Sequence, residues 1–400
     1  MKYVLFIAFS LCFSVLALFF YCQTRYPATP PLTAMAYFFE HLIKPHAKLK
    51  QEVIGFLPYW RLDDIQAIKL TDLSEINYFS FSVDDDGHIL QATNNETDPG
   101  WNGWNKQTTK NFITKAQIMG TKVSITIAVL NNNQIESLLQ DKAKQQVLIT
   151  DILKEVKERH LSDVNIDFEY TGDADKAYQE YFTNFSNDLV TALKKQDPHA
   201  TVSLSLMPLT MRQDGIYDFS KLATLYDRFI GMSYDFYGQN ADIAGPVAPM
   251  RGFKEKKYFF DITTMYEDFL AKLPKDKIVM GVPYYGWEWG VVDGKTINSK
   301  TLPAYDPNNY AAVISYARAR ESGLNKKQCR WDIYAEETWC WFTDTQTGTD
   351  RQTWIVDNAF IQTRFDYAKK QQFTGVAIWT LGLDKNYPDL WKALTTTFSH

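Results

Sequence analysis

The sequence predicts a parallel (β/α)8 TIM barrel with a small, mostly β insertion between its seventh and eighth strands. Three observations carry the prediction: eight short, nearly unbroken apolar runs, intervening stretches with apolar residues at helical spacing, and one gap from about 284 to 373 too long for a single helix. Strands buried on both faces read as continuous apolar runs rather than as alternation, and that is how these read. A doubly wound open sheet is disfavoured because no glycine-rich phosphate turn follows the first run.

Taken in order, Tyr3 to Tyr21 is an uncharged, almost wholly apolar run preceded by Met1 and Lys2. At about 1.5 Å per helical residue it nearly matches the hydrocarbon core of a bilayer. Residues 1–22 are therefore expected to be a membrane anchor or a signal peptide. The bulky exit Leu18-Phe19-Phe20-Tyr21-Cys22 favours an anchor, with the remainder extracytoplasmic, or secreted if the run is cleaved. Residues 23–50, with Pro27, Pro30, Pro31 and Pro45, are expected to be a spacer. Residues 51–400 form the barrel, with the insertion at about 287–355.

The expected barrel strands are Val53–Leu57, Ile76–Val83, Val123–Leu130, Val164–Glu169, Val202–Met207, Phe229–Tyr234, Ile278–Pro283 and Gly375–Thr380. Helices are expected over Ala143–Glu158, Tyr178–Lys195, Met265–Leu273, Ala311–Arg320 and Asn358–Lys370. The insertion holds Trp287, Trp289, Trp331, Trp339 and Trp341, with Cys329 and Cys340 able to bridge a hairpin or to remain two thiols.

Composition narrows the function. A net charge of -5 without a Lys/Arg-rich run leaves nucleic acid poorly supported as a partner. No histidine or cysteine spacing suggests a metal site, so no metal or other cofactor is expected. Aromatic residues make up 15% of the chain, and their flat faces suit sugar rings, although most would fill the core. A monomer is expected.

Catalytic groups of such barrels sit at the carboxyl ends of the strands. The fourth run reads Asp163-Val164-Asn165-Ile166-Asp167-Phe168-Glu169. Side chains alternate along a strand, so Asn165, Asp167 and Glu169 share the face that points into the barrel. Buried carboxyls side by side are costly unless they share protons or hydrogen bonds, and each raises the pKa of its neighbour. Glu169, nearest the mouth, could thus stay protonated and act as a general acid on a departing oxygen.

Ser162 to Glu169 resembles the DxxDxDxE signature of glycoside hydrolase family 18, the chitinase and endo-β-N-acetylglucosaminidase family. Met232-Ser233-Tyr234-Asp235 is similar to that family's MxYD, Gly281 to Gly286 to its seventh strand, Ser80-Phe81 to its Ala-Phe on the second, and Trp379 to its tryptophan under the scissile sugar. The resemblance runs from about Val53 to Leu394. It implies hydrolysis of β-1,4-linked N-acetylglucosamine polymers, chitin or peptidoglycan, by a retaining, substrate-assisted route. Glu169 would be the acid, with Asp167 and Tyr234 serving the acetamido group. Asn165, Phe81, Met232, Asp235, Tyr285 and Trp379 would bind substrate. Rival readings are a lectin-like barrel of low or no activity and an endoglycosidase acting on glycoprotein glycans. Ser162 and Asn165 depart from two aspartates of the signature, and Trp287 stands where an arginine often follows.

Overall fold

The structure is a computed structural model that describes residues 2–44, 47–94, 96–322, 328–385 and 387–399, with the side chains of residues 2–9 and 11 left out. Eight parallel strands close into a barrel: Glu52–Pro58, Glu75–Phe81, Lys122–Val129, Asp163–Phe168, Thr201–Leu206, Arg228–Gly231, Ile278–Pro283 and Gly375–Trp379. Each pairs with its neighbours in sequence, and closure comes where Glu52–Gly55 run beside Gly375–Ile378. Every expected strand is present. Three are shorter than expected: the second stops at Phe81, the eighth at Trp379, and the sixth at Gly231, so Met232–Tyr234 lie beyond it.

The barrel interior is divided. Ile54, Phe56, Ile230, Val279 and Ala377, from strands one, six, seven and eight, form an apolar cluster. Strands two to five instead bury Asn77, Ser124, Thr126, Asp163, Asn165, Asp167, Ser203 and Ser205. These polar residues alternate with apolar ones that face the surrounding helices, as in Val202, Leu204 and Leu206. At the amino-terminal end of the barrel, Arg228 joins Glu52 at 2.8 Å, Glu75 at 2.8 Å and Asp163 at 2.7 Å.

Helices Lys142–Arg159, Ala177–Gln196, Ile262–Leu270 and Asn358–Gln371 lie where their apolar periodicity placed them. Asp141, Asp261 and Asp357 cap three of them by accepting backbone N–H bonds. The expected helix over Ala311–Arg320 divides instead: Ala311–Ser315 is a strand and only Tyr316–Glu321 is helical. The free edge of strand Tyr285–Gly290 captures the β-branched pair Val313-Ile314, and Ser315 then caps the short helix at the Arg318 N–H.

The insertion is a five-stranded antiparallel sheet in the order Ala311–Ser315, Tyr285–Gly290, Asp350–Ile355, Glu337–Thr343 and Cys329–Asp332. Cys329 and Cys340 face each other across the last hairpin and are disulfide-bonded.

At the amino terminus, Lys2–Arg25 is one helix, yet no helix among the described residues is long and apolar enough to cross a membrane. Nearly half of the side chains of the run Tyr3 to Tyr21 lie outside the described residues. Residues 23–50, expected as a spacer, include regular structure. Within them Pro31–Ile43 is a helix docked on the barrel helix Gln107–Met119, held by a Glu40–Lys115 ion pair at 2.8 Å and a Thr29–Thr114 hydroxyl bond at 2.8 Å. Pro45 lies outside the described residues.

Candidate active site

The carboxyl ends of the strands enclose a cavity of about 110 Å³ lined by Phe56, Phe79, Asp167, Glu169, Ser205, Met232, Tyr234, Asp235 and Trp379. Six of these nine, at or just past the ends of strands four, six and eight, are residues the sequence singles out. Asp167 is on the last turn of the pleat and is buried, whereas Glu169 follows the strand's end and is half-buried. Burial raises the Asp167 pKa well above the ordinary carboxylate range, and the charge of Glu169 adds to the rise. The Glu169 pKa is raised too, by desolvation first and by the charge of Asp235 second. One Asp167 oxygen, Oδ1, has no hydrogen-bond partner among the described residues.

Trp379, at the end of the eighth strand, lies nearly parallel to Tyr234, with an interplanar angle of 9° and ring centroids 6.2 Å apart. Phe56 and Phe79 meet its ring edge-on at 5.7 and 4.7 Å. Trp60 stands 6.5 Å from Trp379 and is 54% exposed, extending the aromatic surface outward. Asp235 adopts a left-handed backbone, φ +54°, and accepts a 2.8 Å bond from the Trp287 indole. An indole N–H therefore does at this position what an arginine N–H could do, so the departure at Trp287 keeps a donor for Asp235 while removing a positive charge.

Three expected substrate contacts are placed elsewhere. Asn165 is fully buried one pleat below Asp167, its amide bonded to Thr126 at 3.1 Å and Ser205 at 3.0 Å, with Ser203 donating back at 3.1 Å. It is a strut of the polar interior and does not itself line the cavity. Phe81 is also fully buried, packed on Trp101 and Trp104 outside the barrel. Alternation from Asn77 would turn it inward, but the register with strand three slips between Tyr78 and Phe81, and the irregularity leaves Phe79 facing the cavity instead. Tyr285 sits behind Tyr234, ring centroids 6.5 Å apart, and backs it without lining the cavity.

Phe56, Phe79, Ser205 and Trp60 went unread in the sequence. Alternation gives a signal for three of them: Ile54 and Phe56 share a face, as do Asn77 and Phe79, and Ser203 and Ser205. Nothing local marks Phe79 over Phe81.

Residues 52–384 match the family described as Glycosyl hydrolases family 18. The chain belongs to that family. Among family members and relatives, it is 24% identical over 343 residues to the cortical fragment-lytic enzyme of Bacillus cereus, spanning 82% of this chain and 68% of that one. It is 23% identical to a class V chitinase of Arabidopsis thaliana, over 69% of this chain and 74% of the other. Its fold is shared with the spore cortex-lytic enzyme SleL of Bacillus megaterium, TM-score 0.67 at 22% identity over 87% and 74% of the two chains. It is shared equally with a family 18 chitinase of Cycas revoluta in complex with (GlcNAc)4, TM-score 0.70 at 17% identity over 86% and 99%. The chain is thus a family 18 glycosidase on a TIM barrel with an antiparallel insertion.

Proposed function

We propose that this family 18 glycosidase cleaves β-1,4-linked N-acetylglucosamine polymers with retention of configuration, using the substrate's own acetamido group as the nucleophile. The observation that carries the reading is the pair Asp167 and Glu169, both with raised pKa, opening on a cavity floored by Trp379. Glu169, its pKa raised by desolvation and by the charge of Asp235, gives its proton to the glycosidic oxygen. As the bond breaks, the acetamido carbonyl oxygen attacks the anomeric carbon from the opposite side. The acetamido N–H meets the unpartnered Asp167 Oδ1, which orients the group and balances the positive charge of the oxazolinium ion. Tyr234 supplies a hydroxyl beside the same charge, and Met232, Asp235 and the Trp379 face complete the subsite. Glu169, now ionised, takes a proton from the water that opens the ring.

The names of the relatives support two polymers, peptidoglycan through the cortex-lytic enzymes and chitin through the chitinases. Digesting both with the chain and weighing the products decides between them. Glu169→Gln is expected to lower turnover by about 10³-fold on the polymer that is cut while leaving oligosaccharide binding intact. Unchanged turnover would remove Glu169 from the chemistry. Substrates lacking the N-acetyl group are expected to resist cleavage, and equal rates on plain glucosides would exclude the substrate-assisted route.

We also propose an exported chain held at or released from the membrane. The charge-free run Tyr3 to Tyr21 and the Cys329–Cys340 disulfide both support it, since disulfides persist in oxidising compartments. Cell fractionation with protease shaving tests the placement.

A further inference from the structure

The two amino-terminal helices carry a surface that the barrel does not use. Helix Pro31–Ile43 turns Ala34 and Met35 inward, where they are buried with Cys22 of the first helix and Ile118 of Gln107–Met119. Its opposite side is apolar as well. Leu32, Phe39 and Ile43 are 70%, 53% and 80% exposed, and exposed Ala36 completes a stripe at spacings of four, three and four residues. Leu42 adjoins it, 78% exposed.

A helix with two apolar sides normally has both covered, and the barrel covers only one. The neighbouring helix extends the patch with exposed Phe13, Leu16, Phe20 and Tyr21, and its Tyr21 ring meets Phe38 at 6.0 Å. Among the described residues, nine of the 22 exposed large hydrophobic side chains fall between residues 13 and 43. That concentration is far above the scattered apolar exposure of an ordinary surface.

Charge indicates what covers it. Arg25 and Lys44 are exposed at the ends of these helices, Lys48 and Lys50 are exposed further along the chain, and Glu40, the acid on the second helix, is taken up by Lys44 and Lys115. A second copy docking on the same stripe would bring two such basic sets together. An anionic lipid surface accepts the apolar stripe and the basic rim at once.

We propose that helix Pro31–Ile43 is an interfacial helix whose outer stripe, Leu32, Ala36, Phe39 and Ile43, lies in the headgroup region of an anionic phospholipid bilayer and seats the barrel on the membrane. The seat requires no crossing by residues 3–21, and it is independent of the glycosidase reading.

A spin label reports it in the full chain, with Cys12→Ser and Cys22→Ala leaving the disulfide intact. One label replaces Ala36 through Ala36→Cys, and a second chain carries it at the exposed barrel-helix site through Glu158→Cys. In vesicles of phosphatidylglycerol and phosphatidylethanolamine, the label at 36 is expected to lose collisions with a water-soluble nickel chelate severalfold and to gain them with oxygen, while the label at 158 does not change. Equal nickel access at the two sites overturns the proposal, and so does shielding at 36 that appears without vesicles and grows with protein concentration, the mark of a second copy. Adding Leu32→Glu, Phe39→Glu and Ile43→Glu is expected to restore nickel access at 36 without lowering the thermal midpoint. Retained shielding in that folded variant would also overturn it.

Discussion

Asp167 and Glu169 set the chemistry through where the chain puts their charge. Asp167 is raised chiefly by burial and Glu169 by desolvation ahead of Asp235, so the pair favours a shared proton over two charges. A carboxyl whose folded pKa lies above its unfolded value holds its proton more tightly in the folded chain. The stabilisation is complete below the ordinary carboxylate range and is lost as pH rises through the folded value. Asp167→Asn is therefore expected to raise the thermal midpoint at about pH 8 by about 2 °C, with the gain shrinking toward pH 4. Unfolding scans at the two pH values check this, and an equal gain at both would deny the linkage. The inward face of strand four was plain in the sequence because period-two alternation needs no tertiary knowledge. That Asn165 is a strut was not, since its partners Thr126, Ser203 and Ser205 come from two other strands.

Among the elements, the insertion sheet meets the barrel through the strand Tyr285–Gly290, which presents Tyr285 to Tyr234 and Trp287 to Asp235. Gly286 lies between them, where an added Cβ would fall 1.8 Å from the Trp354 carbonyl oxygen. No side-chain movement relieves a collision with backbone, so Gly286→Ala must push strand Asp350–Ile355 away and carry Trp287 off Asp235. Its kcat/KM is expected to fall by at least about tenfold, near the loss of one charge-assisted hydrogen bond, with far-UV circular dichroism nearly unchanged. Full activity would mean that the sheet's docking does not bear on the site. Sequence spacing misread one neighbour of this strand: Ala311–Arg320 has helical periodicity, but five of its residues pair with Tyr285–Trp289. A short segment takes whichever partner the fold offers, and an open edge outweighs a weak helical preference.

Across the whole molecule, the closed barrel divides its interior between an apolar half and a polar half, and the polar half runs from Arg228 at one end to Asp167 at the other. Arg228 neutralises Glu75 and Asp163, both 1% exposed, while burial still holds the Asp163 pKa above its ordinary value. Arg228→Met would leave those carboxyls without their cation and is expected to cost about 3–5 kcal/mol, read as a lower urea midpoint. A loss below about 1 kcal/mol would show that protonation compensates for the missing cation.

The sequence by itself determined the eight strands, four of the barrel helices, the place of the insertion and the inward acids of strand four, because each is written in local periodicity. Only the tertiary structure decided that Phe79 replaces Phe81 at the cavity, that Asn165 braces the interior, that Tyr285 stands behind Tyr234, and that residues 31–43 form a helix docked on the barrel's flank. The physical reason is common to all four. A register slip, a hydrogen-bond partner on another strand, a ring from an inserted sheet and a helix seated on the barrel's flank are relations between distant segments, and they take form only once the barrel has closed.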